Sequence, residues 1–175
     1  MRFSWENAFR IAVEQGHVSL ANFLLSLGAS SGLPSDILWV ALRSKLSRRK
    51  SEMVDFLINQ GANVFAKARN ADTLLHFAVA SIDNYEVLQI VWLLFRQGCD
   101  PALPNNSGVT PFHVAVERGR ISVVELFLSL NVHPPPDILF TAIESSTALS
   151  SDVILEMIDL LVSSGCDIQT RNAEG

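Results

Sequence analysis

The stretch TPFHVAVERGRISVVELFLSLN, Thr110 to Asn131, decides the fold. It opens on Thr110, whose side-chain oxygen can accept from the free backbone N–H groups of a first helical turn. An apolar residue, Phe112, follows two positions later, and a small one, Ala115, five positions later. The second half, ISVVELFLSL, spaces its apolar residues as an amphipathic helix does. It closes on Asn131, a residue that tolerates the left-handed conformation ending a helix. The unit is therefore two antiparallel helices and a connector. One such pair cannot bury its apolar face alone, whereas stacked neighbours can.

The neighbours are in the sequence. The closing position recurs as Gly28, Gly61, Gly98, Asn131 and Gly165, in steps of 33, 37, 33 and 34 residues. The capping position recurs as Asn7, Asp36, Thr73, Thr110 and Asp137. Two positions after each cap stand Phe9, Leu38, Leu75, Phe112 and Leu139, and five after each stand Ala12, Ala41, Ala78, Ala115 and Ala142. A small residue recurring at one place predicts close helix approach there.

These residues carry a resemblance. Thr110-Pro111-Phe112-His113-Val114-Ala115-Val116 resembles the TPLHxAA signature of ankyrin repeats, and Thr73-Leu74-Leu75-His76-Phe77-Ala78-Val79 matches next best. The units at Asn7, Asp36 and Asp137 are degenerate, with Arg10, Trp39 and Phe140 where the family has His. The resemblance implies an all-α ankyrin solenoid of stacked helix-turn-helix units with short hairpin connectors. It gives a single domain over 1–175 with repeats at 5–32, 33–67, 68–104, 105–133 and 134–170, and 171–175 as the start of a truncated sixth repeat. The chain is thus expected to be a fragment of a longer protein, with terminal repeats that fray or associate through apolar faces.

Departures from the pattern are informative. The closing residue lies 12 residues before the next cap after the second and third units, but only 8 and 6 before it after the first and fourth. Projecting hairpins are expected at the first two places and largely missing at the others, where prolines suit an extended turn. The interhelix segments are longest in the second, third and fifth units and should loop out. Phe9–Gly16 also matches Phe112–Gly119, 103 residues on, which implies duplication of a three-repeat block.

Composition agrees with a packed, binding-type domain. Apolar residues make up 49% of the 175 positions, charged ones 18%, and the net charge is −5. That balance gives no reason to expect nucleic acid or an anionic membrane as partner. The apolar window Val87–Phe95 is broken well short of the ~20 residues a membrane span needs. There is no secretory stretch at the start, and two cysteines make no disulfide framework. The expected location is intracellular, cytoplasmic or nuclear.

Candidate chemistry is sparse. His76 and His113 stand at the family's His position, where a ring ties its turn to the neighbour through backbone hydrogen bonds; one repeat spacing keeps them from sharing a metal. Cys99 and Cys166 stand two repeats apart, too far for a disulfide, and read as small buried hydrophobes. His17 and His133 have no acidic or cysteine partner in register. The run Arg43–Ser51 holds five cations in nine residues and reads as a solvated loop, with a nuclear import signal, an acidic-partner patch or a kinase site at Ser51 as alternatives. The Ser/Thr-rich segment 145–151 reads as a loop, with phosphorylation as the alternative. No metal, cofactor, catalytic or small-molecule site is expected, and the chain is not read as an enzyme.

The resemblance implies a protein-interaction scaffold that binds another protein through hairpin tips and the concave face of the first helices. Carried over by motif position, the contact residues are Arg69, Asn70 and Asp72 at one hairpin, Asn106, Ser107 and Val109 at the next, and Glu14, Gln15, Glu117 and Arg118 on first helices. The alternative is a non-catalytic regulatory or targeting segment of a larger enzyme, channel or receptor-like protein.

Overall fold

The computed structural model describes residues 5–28, 32–44, 49–81, 86–145 and 149–166. Ten helices and no strand occur among them: α1 (Trp5–Glu14), α2 (Val18–Gly28), α3 (Ile37–Arg43), α4 (Lys50–Asn59), α5 (Leu74–Ser81), α6 (Glu86–Arg96), α7 (Pro111–Glu117), α8 (Ile121–Ser129), α9 (Ile138–Glu144) and α10 (Ser151–Ser163). Odd-numbered helices stack on one another in one row, α1 to α9, and even-numbered helices in a second row behind it. The core runs unbroken between the rows.

The recurrent residues explain this. Ala12, Ala41, Ala78, Ala115 and Ala142 are all at most 2% exposed, as close approach of the first helices requires. Phe9, Leu38, Leu75, Phe112 and Leu139 are buried beside them. Burying a side chain of this size is worth about 1.5–3 kcal/mol, so the core is supplied chiefly by these positions and by second-helix residues such as Leu57, Leu94, Phe127 and Leu161. At the ends of the row apolar side chains stay exposed: Phe23 and Leu27 on α2, and Ile143 and Leu155 on α9 and α10.

Second helices end as their closing residues demand. Gly61, Gly98, Asn131 and Gly165 have φ of 85°, 87°, 57° and 92°. The next residue then donates to a carbonyl five back: Ala62 to Leu57, Cys99 to Leu94, Val132 to Phe127 and Cys166 to Leu161, at 3.0–3.2 Å. Gly28 departs from this set. It is the last residue of α2 and has no positive φ. Its role is steric, because a Cβ there would overlap the indole of Trp5. That ring stacks on Phe9 and donates from Nε1 to the Leu24 carbonyl.

The caps also divide. Thr110 accepts from the His113 N–H in a reciprocal capping box, and Thr73 makes the same contact with His76 at 3.4 Å. Asn7 does not stand at a cap, since it lies inside α1. Asp36 and Asp137 stand at N-caps, but their side chains accept no bond there. The carbonyls of Pro34 and Pro135 take the Ile37 and Ile138 N–H groups instead, each at 3.1 Å. The proline-containing connectors thus close the first turn with backbone, which leaves the two carboxylates available elsewhere.

Two projecting turns occur where the long connectors predict them. Ala68 N–H donates to Asp72 O at 2.9 Å, and Asn105 N–H to Val109 O at 2.8 Å. The 132–137 connector makes no such closure. The centres of the three lengthened interhelix segments, 45–48, 82–85 and 146–148, and the segment 167–175, where a sixth repeat is expected to start, lie outside the described residues.

A candidate partner-binding face

The position three residues after each cap reaches across to the next unit, and what it meets depends on the connector. The His76 Nδ1 accepts from Thr73 N–H at 3.1 Å, which leaves Nε2 as the donor. Nε2 meets the carbonyl of Val109, 2.9 Å away on the neighbouring hairpin. His113 is held in the same tautomer by Thr110 N–H, and its Nε2 meets Asp137 Oδ1 at 2.9 Å. At Arg10 the guanidinium does the same work: Nη1 donates to Asp36 Oδ2 at 3.0 Å. Of these three ties, the one at His76, before the 105–109 hairpin, ends on a backbone carbonyl, and those at Arg10 and His113, before short connectors, end on a cap carboxylate. Sequence reading expects backbone ties for both histidines; His113 differs because no hairpin offers it a carbonyl.

The electrostatics follow from these contacts. The Arg10 bond holds Asp36 below the usual carboxylate range against the opposing effect of burial. Burial pushes Asp137 up, but the hydrogen bond and charge of His113 and a backbone bond outweigh it and leave the carboxyl lowered. Burial lowers His76, and the carbonyl of Val109 and the charge of Asp72 only partly oppose it. Between the second and third units the His position holds Trp39, edge-on to Phe77, with the Arg43 guanidinium 5.6 Å and 5.7 Å from the two ring centroids.

The two hairpin tips are joined to each other. Asn106 N–H donates to Asn70 O at 2.9 Å, and Asn105 Nδ2 to Asp72 Oδ1 at 2.7 Å. Asp72 also accepts from Asn70 Nδ2. Of the ten residues carried over from the motif, Glu14, Gln15, Arg69, Asn70, Asn106, Ser107, Glu117 and Arg118 are exposed. Asp72 and Val109 are half-buried and spend their acceptors on these internal bonds. The residues do not form one patch. Glu14 and Gln15 end α1, the hairpin residues lie beyond α4 and α6, and Ser107, Val109, Glu117 and Arg118 line one cleft.

That cleft also takes in His113, Asp137, Thr141 and Glu144. Glu144 is absent from the motif-based set although it stands seven residues after its cap, the register of Glu14 and Glu117. The signal was legible, because the equally degenerate first unit contributes Glu14 from the same register.

The other singled-out residues have structural partners. Ser51 donates from its backbone N–H (3.3 Å) and Oγ (3.2 Å) to Glu86 Oε1, and Lys50 Nζ donates to the Leu42 carbonyl at 3.2 Å. Positions 45–48 of the basic run and 146–148 of the Ser/Thr segment lie outside the described residues. Cys99 is buried and Cys166 half-buried, both as free thiols. Among the described residues no helix is long and apolar enough to cross a membrane, and no group of His, Cys, Asp and Glu is placed to hold a metal.

Comparison with known proteins agrees with this architecture. A sequence model described as ankyrin repeats (three copies) matches residues 85–172. Alpha-latroinsectotoxin-Lt1a of Latrodectus tredecimguttatus is 27% identical over 129 residues, 70% of this chain but 9% of the toxin's length. The chain thus spans less than a tenth of that relative. An ankyrin repeat domain from Acinetobacter baumannii superposes with a TM-score of 0.74 at 21% identity, covering 95% of this chain and 85% of that one. The ankyrin repeat domain of Bcl-3, described as a member of the IκB family, gives 0.72 at 23% identity, covering 94% and 74%. With half of its length matched by the repeat model and its ten described helices stacked as in these solved domains, the chain belongs to the ankyrin-repeat family.

Proposed function

We propose that this chain binds a partner protein through its two hairpin tips and the exposed face of its first helices, centred on the second to fourth units. Ankyrin repeats are general protein–protein interaction modules, and their stacked units offer extended surfaces for binding. The observation that carries this reading is the joined pair of hairpins. Their backbones are fixed by Ala68–Asp72, Asn105–Val109 and the Asn106–Asn70 bond, yet Arg69, Asn70, Asn106 and Ser107 project into solvent. Pre-organised polar side chains lose little conformational freedom on binding. The repeats are assigned to 5–32, 33–67, 68–104, 105–133 and 134–170, and the free thiols favour a reducing, intracellular setting.

The small share of the toxin's length covered by the match favours a second, compatible reading. Here the array is the non-catalytic targeting or regulatory segment of a longer protein, using the same surface. Affinity capture followed by mass spectrometry tests the first reading, comparing the chain with an Arg69→Ala/Asn106→Ala/Glu117→Ala/Arg118→Ala variant of unchanged helicity. A partner retained by the first and lost by the second is the expected result. Equal recovery by both refutes the proposed surface.

A further inference from the structure

The connector between the fourth and fifth units has no hairpin, and its absence leaves an opening. Beside the Ser107–Val109 tip, where a third hairpin would stand, lies a cleft of about 540 Å³ between α7 and α9. The same register two junctions earlier, between the degenerate second unit and the third, is occupied. There Trp39 and Phe77 hold the Arg43 guanidinium between second and third units. Here the corresponding residues are His113, Glu117 and Thr141, and none of them fills the space.

The lining has a definite chemistry. Glu117, Asp137 and Glu144 contribute three carboxylates against the single guanidinium of Arg118. Glu117, Glu144 and Arg118 are exposed and enter none of the ion pairs among the described residues. The His113 ring is already engaged on both sides, with Nδ1 toward Thr110 N–H and Nε2 toward Asp137. Asp137 is fixed in place by His113 Nε2. A cleft that is concave, rigid on its hairpin side and net negative complements a cation on a narrow side chain.

We propose that this cleft seats a lysine or arginine side chain from an extended segment of the partner protein, with the cation facing Glu117, Asp137 and Glu144. The inference rests on the binding-face reading above and names the partner's chemistry at one point of it. Its structural cause is the missing hairpin: the connector that sends Asp137 to His113 is also the one that leaves the cleft uncovered.

Selection of short random displayed peptides on the full chain provides the test. Selected peptides are titrated against the wild type, Glu117→Gln/Glu144→Gln, Arg69→Ala/Asn106→Ala, and a charge-matched control on the second helices, Glu125→Gln/Glu156→Gln. The expected result is a Lys or Arg at one fixed peptide position, and an affinity loss of at least about tenfold in Glu117→Gln/Glu144→Gln. The charge-matched control should leave affinity unchanged. Peptides without a fixed cation, or insensitive to Glu117→Gln/Glu144→Gln yet weakened by Arg69→Ala/Asn106→Ala, would overturn this inference and leave the binding-face reading standing. Equal losses in the cleft variant and the charge-matched control would show non-specific attraction and overturn it too. No selected peptide, or none sensitive to either face variant, would overturn both.

Discussion

His113 Nε2 stands 2.9 Å from Asp137 Oδ1, and this contact repeats the Arg10–Asp36 pair at the same step of the fold about three units earlier. In both places a helix-capping aspartate serves the preceding unit and not its own helix. Removing the acceptor with Asp137→Ala should cost about 0.5–1 kcal/mol, the range for an exposed charge-assisted contact. Asp137→Asn keeps an oxygen for the imidazole N–H and should cost at most half as much. Urea unfolding of the two variants checks this, and equal losses would show that the contact is not what holds the junction.

Ala71 has φ of +64° at the hairpin position where the next unit has Gly108 at +79°. A side chain in this conformation costs about 1–2 kcal/mol relative to glycine. Ala71→Gly should therefore raise stability by roughly 1 kcal/mol, even though glycine also gains freedom in the unfolded chain. Gly108→Ala should lower it by a similar amount. Loss of stability in Ala71→Gly, measured by denaturant midpoint, would contradict this account.

The His76 ring is neutral and buried, and burial lowers its pKa from the ordinary 6.5. The unfolded chain then binds more protons than the folded one in the window below 6.5. Stability from this group is complete above that value and declines as pH falls through the window. Protonation at Nδ1 would also end its acceptance from Thr73 N–H. The melting temperature should fall between about pH 7.5 and about pH 5.5, and the fall should be shallower in His76→Gln. Asp36 and Asp137 are lowered from 3.8 and so act only at more acid pH. An identical pH slope in the variant would exclude His76 as the cause.

Glycine to alanine in a helix ordinarily stabilises by about 1 kcal/mol. Gly28→Ala should do the opposite, because its Cβ would occupy the space of the Trp5 indole. Displacing that ring gives up the stack on Phe9 and the bond to the Leu24 carbonyl. A loss of about 1–3 kcal/mol, the usual cost of overpacking, is expected, together with a red shift in tryptophan emission. A more stable variant would show that Trp5 does not hold the first helix pair.

Burial pushes the Cys99 thiol up to about 11. At about pH 8 less than about one thiol in a thousand is then ionised. Alkylation of Cys99 should be much slower than that of half-buried Cys166 and should follow local opening. Mass spectrometry of timed alkylation reads both rates, and rapid modification of Cys99 in the folded chain would contradict its burial.

Much of this was legible in the sequence. The recurring alanines, the apolar residues two places after each cap, and the glycine or asparagine at four helix ends each follow from local chemistry. A buried small residue, an amphipathic period and a left-handed helix end are requirements a single unit already states. The two hairpins were legible as well, because 12 residues between closing residue and cap suffice for a projecting turn and 6 do not. Eight of the ten residues carried over by motif position are exposed.

Only the tertiary structure decided where the side chains at unit junctions go. Asp36 and Asp137 read as caps because aspartate caps helices well; the proline carbonyls displace them, and Arg10 and His113 on the adjacent helix take the freed carboxylates. Gly28 reads as a helix terminator, whereas the Trp5 ring determines its use. The cleft beside Gly108 is likewise a property of two units placed together, since it lies where that hairpin has no successor. Periodicity fixes what each unit must bury, because that depends on neighbours along the chain. What a polar side chain at a junction bonds to depends on distance in space, which stacking alone sets.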